Sequence, residues 1–120
     1  MASYVTYKVM IENFKILDVD DEVVKNGGIC YEETYKKNGV KNTLTVSLQE
    51  IEDENDMFYL KITSDKDLFK EELMRDAENA VRNLINNITF HFPHKKASEP
   101  VIVDTVFKDQ KMGKLKSMLD

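Results

Sequence analysis

The sequence has little that would support the commonest kinds of nucleotide-binding or disulfide-bonded protein. Its 120 residues include no tryptophan, one cysteine, two prolines and four glycines. Because Cys30 is the only cysteine, no internal disulfide bond can form, which fits a protein of the reducing cytoplasm. The glycines build neither Gly-x-x-x-x-Gly-Lys nor Gly-x-Gly-x-x-Gly, so the sequence lacks the loops that hold nucleotide phosphates.

Long apolar runs are also missing. No segment approaches the roughly 20 consecutive apolar residues that a membrane-spanning helix needs. The stretch from Met1 to Ile11 does not combine a basic start with a long apolar run, so we expect no signal peptide. The sequence therefore predicts a cytoplasmic protein without membrane insertion.

Basic side chains are outnumbered by acidic ones. The chain has 17 Lys and Arg against 22 Asp and Glu, which gives a formal net charge of −5. A negative field of this kind repels a phosphate backbone. The basic residues that do cluster, Lys95-Lys96 and the lysines between 108 and 116, are typical of a solvated surface. We expect no nucleic-acid partner.

A search for catalytic or metal-binding groups finds no convincing set. Cys30 falls in a predicted strand, far in sequence from His91 and His94, and a lone cysteine is usually a small buried hydrophobe. No Gly-x-Ser-x-Gly motif is present, and three Cys and His residues are too few for a four-ligand zinc site. We expect no enzymatic activity, no metal and no cofactor.

The acidic loop from Asp18 to Glu22 invites comparison with a calcium-binding loop. An EF-hand loop needs glycine at its sixth position and glutamate at its twelfth. Val23 and Ile29 stand at those positions, so we interpret the loop as solvated surface.

The remaining composition, 42% hydrophobic and 32% charged, is that of a globular protein, and we expect one domain over residues 1–120. Alternating apolar and polar residues predict four strands with one buried face. Asn38-Gly39 is typical of a tight hairpin turn between the second and third strands. The predicted strands are Tyr4–Leu17, Ile29–Tyr35, Thr43–Leu48 and Phe58–Thr63, joined as an antiparallel meander, with a loop at Asp18–Gly28.

After residue 64 the spacing of apolar residues changes from the alternation of a strand to the period of a helix. Apolar residues at helical spacing predict a long helix over Asp67–Thr89, and Ser64-x-x-Asp67 resembles a capping box. Val101–Val103 is either a strand or an extended arm, and Lys108–Leu119 is predicted as a short terminal helix. The predicted fold class is therefore α+β, with a four-stranded sheet covered by one long helix.

The predicted order of four strands, a long helix, an extended apolar arm and a terminal helix resembles the SecB-like protein-export chaperones over roughly Tyr4 to Phe107, and two segments are similar to motifs of that family. Asn79-Ala80, followed by Leu84, Ile88 and Thr89, is similar to the family's helix pattern, in which Asn-Ala leads to Leu and then to an Ile-x-x-(Leu/Ile)-Thr end. The arm Pro100-Val101-Ile102-Val103 with Phe107 resembles the family's Pro-x-Ile-Leu-Pro-Pro-x-Asn-Phe arm. The resemblance implies a homotetramer built as a dimer of dimers, with a groove that holds non-native polypeptides in extended form.

The sequence thus favours a chaperone-like protein that binds unfolded or extended polypeptides. The candidate client-binding residues are Phe90, Phe92, Val101 and Val103, although core packing would also explain the two aromatic residues. The alternative is an acidic adaptor or inhibitor, such as a phage-encoded one, that binds a single basic protein, or a phage assembly component. Its docking residues would be the acidic side chains Asp18, Asp20, Asp21, Glu22, Glu52, Asp53 and Glu54.

Overall fold

The computed structural model describes residues 3–15, 24–25, 28–92 and 96–110. Over these residues the chain forms one antiparallel sheet and one long helix, which confirms the predicted α+β class. The strands are β1 (Tyr4–Met10), β2 (Val24–Lys25), β3 (Gly28–Lys37), β4 (Val40–Glu50), β5 (Met57–Ser64) and β6 (Val101–Val106), and the helix is α1 (Lys70–His91).

The order of strands corrects the predicted sheet in two respects. All four predicted strands form, but the described sheet has six strands in the order β2-β3-β4-β5-β1-β6. The meander holds from β2 to β5, whereas β1 lies between β5 and β6 instead of beside β3. The short turn at Asn38-Gly39 forces β3 and β4 together, but the connection that follows β1 is long and imposes no neighbour.

The first strand is shorter than its predicted range of Tyr4–Leu17. It ends at Met10, and Ile11 then makes an isolated bridge to Ala97. Asn13 has a left-handed backbone with φ of 56°, so the extended run cannot continue through it. This turn brings Phe14 into the core, where 1% of its surface is exposed.

The hydrophobic core lies between α1 and one face of the sheet. Val46, Ile62 and Val5 are opposite one another on three neighbouring strands, and each is fully buried. The facing helix buries an apolar stripe at helical spacing, as the sequence predicts: Leu73, Ala77, Ala80, Val81, Leu84 and Ile88. The other face of the sheet carries hydroxyl, lysine and tyrosine side chains, which is typical of a solvated face.

The helix begins at Lys70, three residues later than predicted. The carboxylate of Glu72 accepts a hydrogen bond from the backbone N–H of Phe69 at 2.9 Å, so the cap is built from this pair. The predicted cap at Ser64 is wrong, because Ser64 is the last residue of β5 and its Oγ accepts the N–H of Lys66.

The Val101–Val103 segment belongs to a strand and not to a free arm. β6 runs antiparallel to β1, with Ile102 opposite Tyr7 and Asp104 opposite Thr6, so Val103 is an extra residue in a bulge. The sequence could not decide this, because three consecutive apolar residues lack the alternation of a half-buried strand. Residues 108–110 are helical, and the rest of the predicted terminal helix lies outside the described residues.

Candidate functional site

The outer edge of β6 is an exposed apolar surface. β1 pairs with one side of β6, and no strand of the described sheet pairs with the other. Val101, Ile102 and Val103 are 61%, 45% and 49% exposed. An edge strand of this kind presents free backbone N–H and C=O groups as well as its side chains. Within the described residues, the edge carries the bulge at Val103 and the carboxylate of Asp104, which are both common devices against uncontrolled pairing.

A groove of about 690 Å³ runs between β6 and α1. Tyr7 of β1 lies at its base, Val81 and Ile85 form the helix wall, and Ile102 contributes to the opposite wall. Because Ile102 is opposite Tyr7 in the β1–β6 register, its side chain lies on the same face of the sheet. Polar residues complete the lining, among them Glu78, Arg82, Asn86, Ser98 and Glu99.

The phenol of Tyr7 is the most unusual group in this groove. Tyr7 is 5% exposed, and its oxygen has no hydrogen-bond partner within the described part of the chain. Burial, with a smaller contribution from the negative charge of Glu78, raises the pKa of Tyr7 to about 12. The phenol is therefore neutral at physiological pH, and its O–H finds no acceptor among the described residues.

Phe90 and Phe92, which the sequence proposes as client contacts, lie in different environments. Phe90 is 80% exposed, and its only ring contact in the described residues is with neighbouring His91, at 5.4 Å between centroids. Phe92 packs against the core and meets the ring of Phe14 edge-to-face at 5.8 Å. Phe92 is therefore partly buried against the core, which agrees with the core interpretation left open by the sequence. Phe90 remains free for a partner.

Phe90 lies outside the groove, towards the end of α1. Arg82, Asn86 and Phe90 follow one another at intervals of four residues, which places them along one side of the helix. The first two line the groove, so Phe90 stands one turn beyond its end.

The predicted acidic docking residues are only partly described. Glu52, Asp53 and Glu54 lie exposed in the turn between β4 and β5, where Asp53 has a φ of 68°. Glu54 pairs with Lys8 on the open face of the sheet at 2.9 Å. The other predicted docking residues, Asp18, Asp20, Asp21 and Glu22, lie outside the described residues.

The side chains considered for catalysis or metal binding are not brought together. Cys30 is opposite Ser47, on the sheet face turned away from α1, whereas His91 is at the end of that helix. His94 lies outside the described residues. Among the residues that are described, no three His, Cys, Asp or Glu side chains are grouped as metal ligands.

Sequence reasoning did not identify Tyr7 or the helix wall of the groove. The groove forms where β1, α1 and β6 meet, and these three elements are far apart along the chain. One feature of the sequence does set Tyr7 apart: it is the one hydroxyl-bearing residue in the alternating set Val5, Tyr7, Val9 and Ile11.

A scan against protein-family models, a search of curated proteins and a search of solved structures each returned no match for this chain. In the described part of the chain, no helix is both long enough and apolar enough to cross a bilayer. The arguments for function therefore come from the β6 edge and the groove.

Proposed function

We propose that this protein is a chaperone-like binder of polypeptides, which holds extended segments against β6 and the adjoining groove. The observation that carries this proposal is the exposed apolar edge strand Val101–Val103 beside a groove of about 690 Å³. Isolated exposed apolar residues are ordinary, but three consecutive ones on an unpaired edge are not.

Binding would combine two contributions. The backbone of an incoming segment pairs with the free N–H and C=O groups of β6, as in strand addition to other sheet edges. Alternate side chains of that segment face the groove, while the others lie along Val103 on the open face of the sheet. Burial of apolar surface stabilises the complex by about 25 cal/mol per Å² and is non-directional, so many client sequences are accepted.

The resemblance to SecB-like chaperones belongs to the same proposal. A dimer of dimers in the cytoplasm would place several such edges in one particle, and a client chain could contact more than one of them. A second copy of the chain could also pair with the outer edge of β6. The oligomeric state is therefore to be measured together with client binding.

The test is a pair of lysine substitutions on the edge, Val101→Lys and Val103→Lys in one variant. The matched control is Val40→Lys, since Val40 is 49% exposed but lies beside the β3–β4 turn. We measure binding of a reduced, alkylated and fluorescently labelled unfolded protein by anisotropy. The edge variant is expected to raise the Kd at least tenfold, because charged side chains oppose strand addition, and the control leaves the Kd unchanged. Equal binding by the edge variant and the wild type would refute the proposed site.

The acidic adaptor, or a phage assembly component that docks in the same way, is the second candidate. It is favoured by the exposed carboxylates Glu52 and Asp53 in the turn between β4 and β5. A partner held by such charges is released when salt rises from about 0.05 M to about 0.5 M, because exposed charges are screened. A client held on the apolar edge stays bound over that range, and a Glu52→Gln, Asp53→Asn variant binds it as the wild type does.

A further inference from the structure

The solvent-facing side of α1 changes in composition along the helix. Residues 70–78 include six charged side chains among nine, whereas residues 79–91 include one, Arg82, although 32% of the whole chain is charged. The depletion of charge from an exposed surface is the compositional signal of the centre of a protein interface. Four exposed asparagines take the place of charge, and we call them the asparagine face: Asn79, Asn83, Asn86 and Asn87.

The fold of a single copy does not explain this asparagine face. Asparagine is a poorer helix former than lysine, glutamate or alanine, any of which would suit a solvated helix surface. None of the four side-chain amides makes a hydrogen bond with another group in the described part of the chain. They therefore neither cap α1 nor brace it against the sheet, and they lower the stability of the helix that carries them.

The chemistry of the face limits what can cover it. A carboxamide has both donors and an acceptor, so it pairs with an identical carboxamide, which no charged side chain does with its own copy. A two-fold interface places the same surface opposite itself. A strongly charged partner would find only Arg82 on this part of the helix. The surface is therefore complementary to itself.

The distribution of charge along α1 also sets the direction of such a contact. Parallel packing of two copies would place the charged residues 70–78 beside the same residues of the other helix, with like charges together. Antiparallel packing centred on the asparagine face leaves the two charged halves at opposite ends. Packed helices cross at an angle, commonly about 50°, so they separate towards their ends.

We propose that the asparagine face of α1 packs against the same face of a second copy of this chain, with the helices antiparallel and a two-fold axis beside Asn83. The amides of each copy pair with those of the other. Phe90 and the outer edge of β6 lie outside this contact, so both remain accessible in the dimer. The inference does not depend on polypeptide binding at β6.

The test is the association state of the full chain, measured by sedimentation velocity. Wild-type protein is expected to dimerise between about 10 µM and about 500 µM, because a small polar interface gives a micromolar Kd. Asn83→Asp and Asn83→Lys are each expected to raise this Kd at least about tenfold, since each variant places like charges opposite one another. An equimolar mixture of the two variants restores the dimer, because the charges are then opposite in sign.

The matched control is Asn55→Asp, the same change in the exposed turn between β4 and β5, and it leaves the dimer intact. Circular dichroism checks that every variant is folded. A wild type that stays monomeric over the whole range overturns the inference, and so does a mixture of the two folded variants that fails to associate. A dimer that persists in Asn83→Asp also overturns it. If that dimer dissociates in the Val101→Lys, Val103→Lys variant, the contact is formed by β6 instead.

The outcomes are independent of the proposed function. Anisotropy of the unfolded reporter measures client binding at β6, and Asn83→Asp is expected to bind the reporter whether or not it dimerises. Loss of the dimer contact with retained reporter binding therefore bears on α1 alone.

Discussion

The phenol of Tyr35 donates a hydrogen bond of 2.7 Å to Asp76 Oδ2, and so joins the long β3–β4 hairpin to α1. The two residues are 41 positions apart, and Tyr35 packs against the core beside the bond. Leu44 and Val46 of this hairpin also lie in the core that α1 covers, so the bond adds a polar link between the hairpin and the helix. Loss of the Tyr35 hydroxyl is therefore expected to lower the free energy of unfolding.

Tyr35→Phe is expected to lower the free energy of unfolding by about 1 kcal/mol, the typical contribution of one hydrogen bond. Urea unfolding monitored by circular dichroism measures the change. Tyr59→Phe is the control, because Tyr59 is exposed on the open face, and its effect should stay within about 0.5 kcal/mol. An equal effect of the two substitutions would show that the Tyr35–Asp76 bond contributes nothing.

Phe90 and Phe92 should respond differently to alanine. Phe90→Ala leaves the free energy of unfolding within about 0.5 kcal/mol of the wild type, because its ring is 80% exposed. Phe92→Ala lowers it by about 2 kcal/mol, less than for a fully buried ring, because it loses the contact with Phe14. Binding of the unfolded reporter weakens in Phe90→Ala. A stable Phe92→Ala protein would contradict the assignment of that ring to the core.

Tyr7→Phe should stabilise the unliganded protein. Removal of a buried hydroxyl that has no partner in the described part of the chain is expected to raise the free energy of unfolding by about 1 kcal/mol. Differential scanning calorimetry without any peptide measures this as a higher Tm. A lower Tm would indicate that the hydroxyl is already satisfied in the free protein, for example by a bound water molecule.

Stability is also expected to fall at alkaline pH through two tyrosines, the buried Tyr7 and the partly buried Tyr35. Burial raises the pKa of Tyr7 from 10.0 to about 12, and burial followed by the bond to Asp76 raises the pKa of Tyr35. Because the folded state holds these protons more tightly than the unfolded state, their contribution is fully present below pH 10 and is lost as the pH rises towards 12.

The measurement is the free energy of unfolding of the wild type and of the Tyr7→Phe, Tyr35→Phe variant at several values between pH 9 and about pH 12. The slope is expected to be shallower in the variant, since lysines and exposed tyrosines titrate alike in both proteins. Parallel slopes would mean that neither phenol has a raised pKa.

The sequence alone determined the features that depend on local patterns. The strict alternation of Thr43–Leu48 identifies a half-buried strand, and the helical spacing from Leu73 to Ile88 identifies α1 and the face that it buries. These predictions succeed because the side-chain period of a strand or helix is a property of consecutive residues.

The neighbours of β1 were decided only by the tertiary structure. β1 could pair with β3 or β5 as far as its own pattern shows. In the structure it lies between β5 and β6, with Val5, Tyr7 and Val9 buried in the core. The same long-range packing sets Phe92 against Phe14, leaves Phe90 exposed, and buries the hydroxyl of Tyr7, which has no hydrogen-bond partner among the described residues. Contacts between distant segments depend on how whole elements fit together, and no local period encodes them.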